Sequence, residues 1–412
     1  MPGREFFHTR TVAEALALLP SVTTTPPEQV GLAAALARVP SQDIVATQAL
    51  PGFARSTVDG YAVQAADTFG VSDGLPAYLE VIGAVSMGLA PEVVVRPGTA
   101  VSMPTGGVQP TGADAVVMVE YTQQTIPGTV EVVRPAAPGD GLVEADEDVA
   151  VGQVLAPAGR PLRAPDLGML AAAGVTVLPV HTRPVVAICS TGDEVVPPET
   201  AALAAGQVRD ATAPALAGLV RQAGGEPRSY GIVGDDATEL ERVLRQAVAD
   251  CDLVVVSAGS SVGARDETAG AVERLGPPGI LCHGIAIRPG KPTLLAQAAA
   301  VPIVGLPGNP LSALVVFRLV GVPLVHRLGG CTRPPPEPNA RARLARPLAS
   351  QAGRLDVVQV RLDRKGAELV ATPLFGASAL LSVLTAADGY LTVAEEATGL
   401  AADAEVDVTL YR

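Results

Sequence analysis

Three short turns in this chain combine glycine with hydroxyl and carboxylate side chains. They are Ser190-Thr191-Gly192-Asp193-Glu194; Ala258-Gly259-Ser260-Ser261-Val262-Gly263, with Arg265-Asp266-Glu267 behind it; and Pro307-Gly308-Asn309-Pro310, which runs straight into Leu311 and Ser312. Glycine lets backbone N–H groups approach an anion closely, and a helix starting at such a turn adds its own partial positive charge. One turn of this kind is commonly only a turn. Three, each following a continuous apolar run, read as parts of one anion pocket at the carboxyl ends of strands in an open α/β sheet. Arg288-Pro289-Gly290-Lys291-Pro292 supplies cations, two of them three apart on a proline-stiffened turn. Such a turn aims both at one oxyanion with little ordering entropy to lose; a solvated basic turn is the plainer reading.

Carboxylates are the complement. Asp59 stands in Ser56-Thr57-Val58-Asp59-Gly60-Tyr61, Glu147-Asp148 follows later, and Glu194 and Asp266 sit in or beside the turns above. Hard oxygen donors of this kind suit Mg²⁺ bridged to a substrate phosphate, although each alone is also an ordinary surface carboxylate. Two generic motifs compete. Gly259-Ser260-Ser261-Val262-Gly263 has the G-x-S-x-G form of a hydrolase elbow, with Ser261 as nucleophile. The histidine it needs later in the chain is His283 or His326, and His326 lies in an apolar helical stretch. Gly284 to Lys291 looks like a P-loop. However, it has five residues between its glycines and Pro292 where Ser or Thr should meet Mg²⁺, so that match fails.

The elements that must position these groups follow from the hydrophobic pattern. Pro184–Ser190, Asp252–Ser257 and Val301–Leu306 are continuous apolar runs, the mark of strands buried on both faces. Amphipathic helices lie between them. One is capped by Thr212 and turns Leu216, Leu219 and Val220 inward; the other is opened by Asp236 and Glu239 and carries Leu240, Val243, Leu244, Ala247 and Val248. The alternation predicts a parallel sheet with helices on both faces over 183–332. Within 51–148, short β-type runs (Tyr78–Ile82, Glu92–Val95, Ala115–Glu120, Thr129–Val133) alternate with Gly/Pro turns as an inserted all-β module. Residues 11–19, 28–37 and 166–173 read as helical, so 1–50 together with 149–182 form a helical part. Proline-rich Arg333–Pro338 closes the α/β part, and 339–412 alternates as a small barrel or sandwich.

Composition narrows the partners. Of 412 residues, 42 are acidic and 29 basic, a formal charge of −13, which repels a phosphate backbone and argues against nucleic acid. A small anion therefore needs a local pocket of opposite sign. The chain is 48% hydrophobic, enough for the cores of about two to four domains. Cys189, Cys251, Cys282 and Cys331 are widely spaced, and neither they nor the four histidines have metal-ligand spacing. Reduced thiols are expected. The best apolar stretch, Leu311 to Leu328, is interrupted by Arg318, His326 and Arg327, and the N-terminus has no apolar signal region. No membrane span and a cytoplasmic location are expected.

Taken in order, the motifs resemble the molybdopterin molybdenumtransferase family, the MoeA proteins and the gephyrin E domain. Ser56–Ala62 resembles S-x-x-D-G-Y-A, and Pro104–Glu120 resembles T-G-[AG]-x-x-P-x-G-A-D-x-V-V-x-x-E. Ser190–Val195 resembles S-T-G-D-E-L, Ser257–Asp266 resembles S-G-G-x-S-x-G-x-x-D, and Arg288–Pro292 and Gly305–Ser312 resemble P-G-K-P and G-L-P-G-N-P-x-S. The resemblance covers nearly the whole chain. It implies an α/β multidomain fold: a central parallel-sheet domain like that of molybdopterin adenylyltransferases, an N-terminal helical dimerisation segment, an inserted β lid and a C-terminal β-barrel, in a homodimer. It also implies a Mg²⁺-dependent reaction of adenylated molybdopterin with molybdate that releases AMP, with a molybdopterin adenylyltransferase as upstream partner.

By motif, Asp59, Thr105, Asp148, Glu194 and Asp266 would be catalytic, with Asp59, Glu194 and Asp266 on the metal. Ser190, Thr191, Gly192, Gly259, Ser261, Gly263, Pro307, Gly308, Asn309 and Pro310 would hold the pterin and phosphates, and Arg288, Lys291 and Ser312 molybdate. The chain departs from the pattern at Val143, where arginine is usual, at Thr212 for asparagine, at Ala258 for glycine, and at Gln359 for arginine in the stretch that begins Gly353-Arg354-Leu355-Asp356. The departure at Val143 favours a non-catalytic scaffold paralogue as the alternative.

Overall fold

The computed structural model describes residues 9–19, 22–257 and 262–411, with the backbone alone for 262–266. The chain divides into two compact units. One comprises Met1–Gln42, Ala158–Arg163 and Pro179–Arg412; the other comprises Asp43–Pro157 and Ala164–Leu178.

The first unit is built on a six-stranded sheet of β1 (Val185–Thr191), β2 (Glu226–Val233), β3 (Leu253–Ser257), β4 (Pro278–His283), β5 (Leu294–Ala298) and β6 (Val301–Leu306), in the order β2-β1-β3-β6-β5-β4. The first four strands in that order run parallel, as the alternation predicts. The last two do not: β5 is antiparallel to β6, and β4 to β5. Only Ala299 and Ala300 separate β5 from β6, far too few for the crossover that parallel pairing needs. Apolar runs are continuous because both faces are covered. Val186, Ile188, Leu253 and Val255 pack with Leu216 and Val220 on one side, and Ala187, Cys189, Val254 and Val256 pack with Leu240, Val243 and Leu244 on the other.

Helix starts depart from expectation in one place. Thr212 is the first helical residue of Thr212–Gln222, and the orphan N–H groups of Thr212 and Ala213 donate to Asp210 Oδ1 at 3.1 and 3.0 Å. The charged acceptor two residues upstream displaces the hydroxyl cap. Asp236 does cap Ala237–Asp250, accepting from the N–H groups of Thr238 and Glu239. Residues 28–37 are not a helix. Pro27–Gly31 is a strand paired with Val177–His181, followed by a single 3₁₀ turn; Gly31 and the preceding prolines break the Ala/Leu pattern.

Pro310–Leu328 forms one 19-residue helix with a π turn at Phe317–Gly321, long and apolar enough by composition to cross a bilayer, which the interrupted sequence run did not suggest. It is a core helix here: Leu311, Val315, Phe317, Val320 and Leu324 are buried with the sheet.

The C-terminal part contains β7 (Asn339–Leu344), β8 (Leu355–Lys365), β9 (Glu368–Pro373), β10 (Gly389–Val393) and β11 (Glu405–Leu410). They pair as β8-β9-β7-β11-β10, and β10 returns to β8, closing a five-stranded barrel. A two-residue strand, Ile287–Arg288, pairs with Leu355–Asp356 at the start of β8 and ties the basic turn to the barrel.

The second unit carries a six-stranded sheet in the order Ala115–Met118, Gly60–Val63, Thr99–Met103, Ala77–Ala84, Thr129–Val132, Thr122–Ile126. Glu92–Val95, read as a strand from its valines, joins no ladder. Pro91 and Pro97 bracket it and remove backbone donors. Helix Ala164–Ala172 ends near Gly174 at φ 75°.

Candidate functional site

Register brings three strand ends together: Ser190 pairs with Ser257, and Ser257 with Leu306, so β1, β3 and β6 end side by side at the carboxyl end of the sheet. Gly259 and Ser261 lie outside the described residues. Gly263 and Asp266 fall in the first part of helix Val262–Glu273, where the backbone alone is described.

Ser190 and Thr191, the last two residues of β1, are buried. Ser190 Oγ donates to Asp210 Oδ2 at 2.6 Å, and Thr191 Oγ1 to the Ser257 carbonyl at 3.3 Å. Gly192 sits at φ 129°, and a Cβ there would meet the Glu194 carboxylate. The loop borders a cavity of about 760 Å³ whose lining includes Gly192, Asp193, Asp210, Pro214, Arg221 and Gly234. Burial, then the charges of Asp193 and Glu194, push the Asp235 carboxyl above its ordinary value. Asp210 escaped the sequence reading. Its signal was there, an acid two residues before Thr212, but only the fold shows it linking Ser190 to a helix start. Asp210→Ala is expected to cost about 2 kcal/mol, since it removes a cap and leaves Ser190 unpaired; urea unfolding checks this, and an unchanged midpoint would contradict it.

A second cleft, about 930 Å³, brings Arg288, Lys291, Pro307, Asn309 and Ser312 together with Arg354, Asp356, Gln359 and Ser378 from the barrel part. Ser312 is buried, and Asn309 Nδ2 donates to Ser378 Oγ at 2.8 Å. The P-loop mismatch is explained, because Lys291-Pro292-Thr293 leads into strand β5 and not into a helix. Arg354, Asp356 and Ser378 were not among the expected site residues. The Gly353-to-Asp356 motif was visible, but nothing in it says which strand edge it faces.

In the second unit, Asp59 Oδ1 accepts from both the Thr105 backbone N–H (2.7 Å) and its hydroxyl (3.0 Å). These donors hold the Asp59 carboxyl below its ordinary value, the backbone bond contributing most. The carboxylate therefore keeps its charge below the unfolded-state value, and its contribution is lost as pH falls through the lowered folded value. Thr105→Val keeps the N–H and removes the hydroxyl, so Asp59 is expected to titrate closer to its ordinary value in a carboxyl-carbon NMR titration; an unmoved titration would exclude the hydroxyl as donor. Asp148 is exposed, its N–H bonded to the Leu50 carbonyl. Asp59, Thr105 and Asp148 thus belong to one unit, and Glu194, Arg288, Lys291 and Ser312 to the other.

Three family models cover most of the chain. Residues 10–174 match the MoeA N-terminal region (domain I and II), 187–327 a "Probable molybdopterin binding domain", and 341–411 the MoeA C-terminal region (domain IV). Molybdopterin molybdenumtransferase 2 of Mycobacterium tuberculosis strain H37Rv is 34% identical over 407 residues, 97% of this chain and 98% of that protein. The chain belongs to the MoeA family. The molybdopterin molybdenumtransferase of Bacillus subtilis strain 168 is 31% identical over 379 residues, 88% of this chain and 87% of that one. A crystal structure of the MoeA protein from Pyrococcus horikoshii OT3 superposes with a TM-score of 0.85 at 31% identity, covering 98% of this chain and all of that one.

Two departures from the MoeA pattern acquire a local setting. Val143 pairs across a short antiparallel ladder with Arg55, so a cation stands beside the position that lacks one. Gln359 is buried, with its Oε1 accepting from the Tyr411 hydroxyl. Thr212 starts the Asp210-capped helix, and Ala258 lies outside the described residues.

Proposed function

We propose that this protein is a molybdopterin molybdenumtransferase, joining molybdate to adenylated molybdopterin with release of AMP. The observation that carries this reading is the second cleft. In a chain of formal charge −13, its lining holds three cations, Arg288, Lys291 and Arg354, against one carboxylate, Asp356. Such a pocket concentrates a small oxyanion that the rest of the surface repels. Ser312, at the start of a helix, adds a hydroxyl donor. The strand-end loops around Ser190–Glu194 and Pro307–Pro310 would take the pterin and its phosphates. Charge neutralisation and alignment then do most of the work, because departure of a phosphoryl group asks little covalent chemistry of a protein.

Dependence on Mg²⁺ belongs to the same proposal, with Asp59, Glu194 and Asp266 as donors. Such an ion would supply charge neutralisation at the substrate phosphates, keeping several of its waters. A homodimer, supplied by a molybdopterin adenylyltransferase in the cytoplasm, completes the proposal.

The test is to incubate the purified protein with adenylated molybdopterin, molybdate and Mg²⁺ and to measure AMP. Release above a protein-free control, abolished by chelation, is expected. None would leave the scaffold reading, against which Arg55 beside Val143 already weighs.

A further inference from the structure

The one carboxylate in the cleft is the group that the proposed reaction does not call for. Asp356 is 4% exposed and stands among cations. Its Oδ1 accepts from Arg354 Nε at 2.8 Å, its Oδ2 lies 3.4 Å from the same guanidinium, and Arg288 Nη1 is 3.7 Å from Oδ2. The two arginines come from different parts of the unit. Arg354 leads into barrel strand β8, whereas Arg288 lies on the connection between β4 and β5, held in register directly beside Asp356 by the pairing of Ile287–Arg288 with Leu355–Asp356. Arg288 is largely exposed, and without an anchor its long side chain would sample many rotamers.

We infer that Asp356 is a positioning residue of this cleft: its buried carboxylate fixes the Arg354 guanidinium as a fork and draws Arg288 toward it, so that both present donors to a tetrahedral oxyanion. This rests on the reading of the cleft as the oxyanion site. A carboxylate facing an anion's pocket ought to weaken binding by its charge alone. The geometry makes alignment the larger effect, since a two-point arginine–carboxylate bond removes the rotamer freedom that binding would otherwise have to remove.

The two effects predict opposite signs, which makes the test decisive. Asp356→Asn is nearly isosteric and takes away the charge. KM for molybdate in the AMP-release assay is expected to rise about tenfold, with kcat at saturating molybdate within about twofold of wild type, the pattern of lost ground-state binding. Calorimetric titration with molybdate alone should show the same loss of affinity. Asp356→Glu, which keeps the charge and can still reach Arg354, should recover part of it. In an Arg354→Gln background, Asp356→Asn should raise KM less than about twofold further, because a residue that acts through its partner is non-additive with it. Wild-type KM in Asp356→Asn, tighter molybdate binding, or full additivity would each overturn the inference. A melting temperature lowered with KM unchanged would also overturn it, assigning Asp356 to fold stability alone. If the wild-type protein binds molybdate and releases AMP but the variant matches it, only the positioning role falls; if the wild type does neither, the function proposed above falls with it.

Discussion

Lys291→Ala should lower kcat/KM for AMP release about 100-fold, a loss of about 2.7 kcal/mol in transition-state stabilisation. The side chain is exposed and has no packing to lose. The turn is held by main-chain bonds that alanine keeps: the Lys291 carbonyl accepts from the N–H groups of Ile285 and Thr293, both at 2.9 Å, and Thr293 Oγ1 donates to the Gly290 carbonyl at 2.6 Å. Gly290 lies at φ 122°, and a Cβ there would come within 2.3 Å of Val316 Cγ2, so the turn seats directly on the helix that carries Ser312. Stability should therefore change by less than about 0.5 kcal/mol, as for other surface substitutions away from such features. Removing one of three cations beside Asp356 halves the net positive charge of the cleft lining, within a strongly acidic chain. Lys291→Arg should recover part of the rate, and the wild-type KM for molybdate should rise with ionic strength more steeply than that of the variant. Wild-type turnover in Lys291→Ala would remove this cleft from the reaction.

What the sequence disclosed follows the physics of its signals. The strands ending at Thr191, Ser257 and Leu306 were legible because strands buried on both faces are written as unbroken apolar runs. Arg288 and Lys291 were legible as a pair because proline and glycine mark a turn. Asp356 and Arg354 were not, since only barrel closure and the Ile287–Arg288 pairing bring them to the same cleft. Asp210 was hidden for a related reason: a short, exposed two-strand ladder, Val195–Val196 with Val208–Arg209, swings it back under Ser190. Residues 28–37 carry Ala and Leu at helical density but no cap to start a helix, and Pro27–Gly31 pairs as a strand instead. The antiparallel edge follows from a two-residue connection, which no periodicity signals.

Gly60→Ala should destabilise the second unit by about 3 kcal/mol or more, near the upper end for overpacking. Gly60 belongs to the strand Gly60–Val63, which has Thr99–Met103 on one side and Ala115–Met118 on the other, opposite Met103 and Met118. A Cβ built on it would stand 1.9 Å from the Val117 carbonyl oxygen and 2.8 Å from its carbon. These are backbone atoms of a paired strand and cannot rotate away as a side chain would, so the ladder itself must part. The damage also reaches the site, because the Asp59 carbonyl accepts from the Val119 N–H at 2.9 Å and the Asp59 carboxylate is seated on Thr105. AMP release should fall with stability. The chain has no tryptophan, so urea unfolding is best followed by far-UV circular dichroism, with hydrogen exchange over 60–63 and 115–118 to locate the loss. Gly74→Ala is the matched control: nothing lies within 4 Å of its added methyl and its φ is not in the left-handed region, so its midpoint should stay within about 0.5 kcal/mol of wild type. If the two variants unfolded alike, the glycine of the Ser56–Ala62 motif would be there for reasons other than the close approach of these strands.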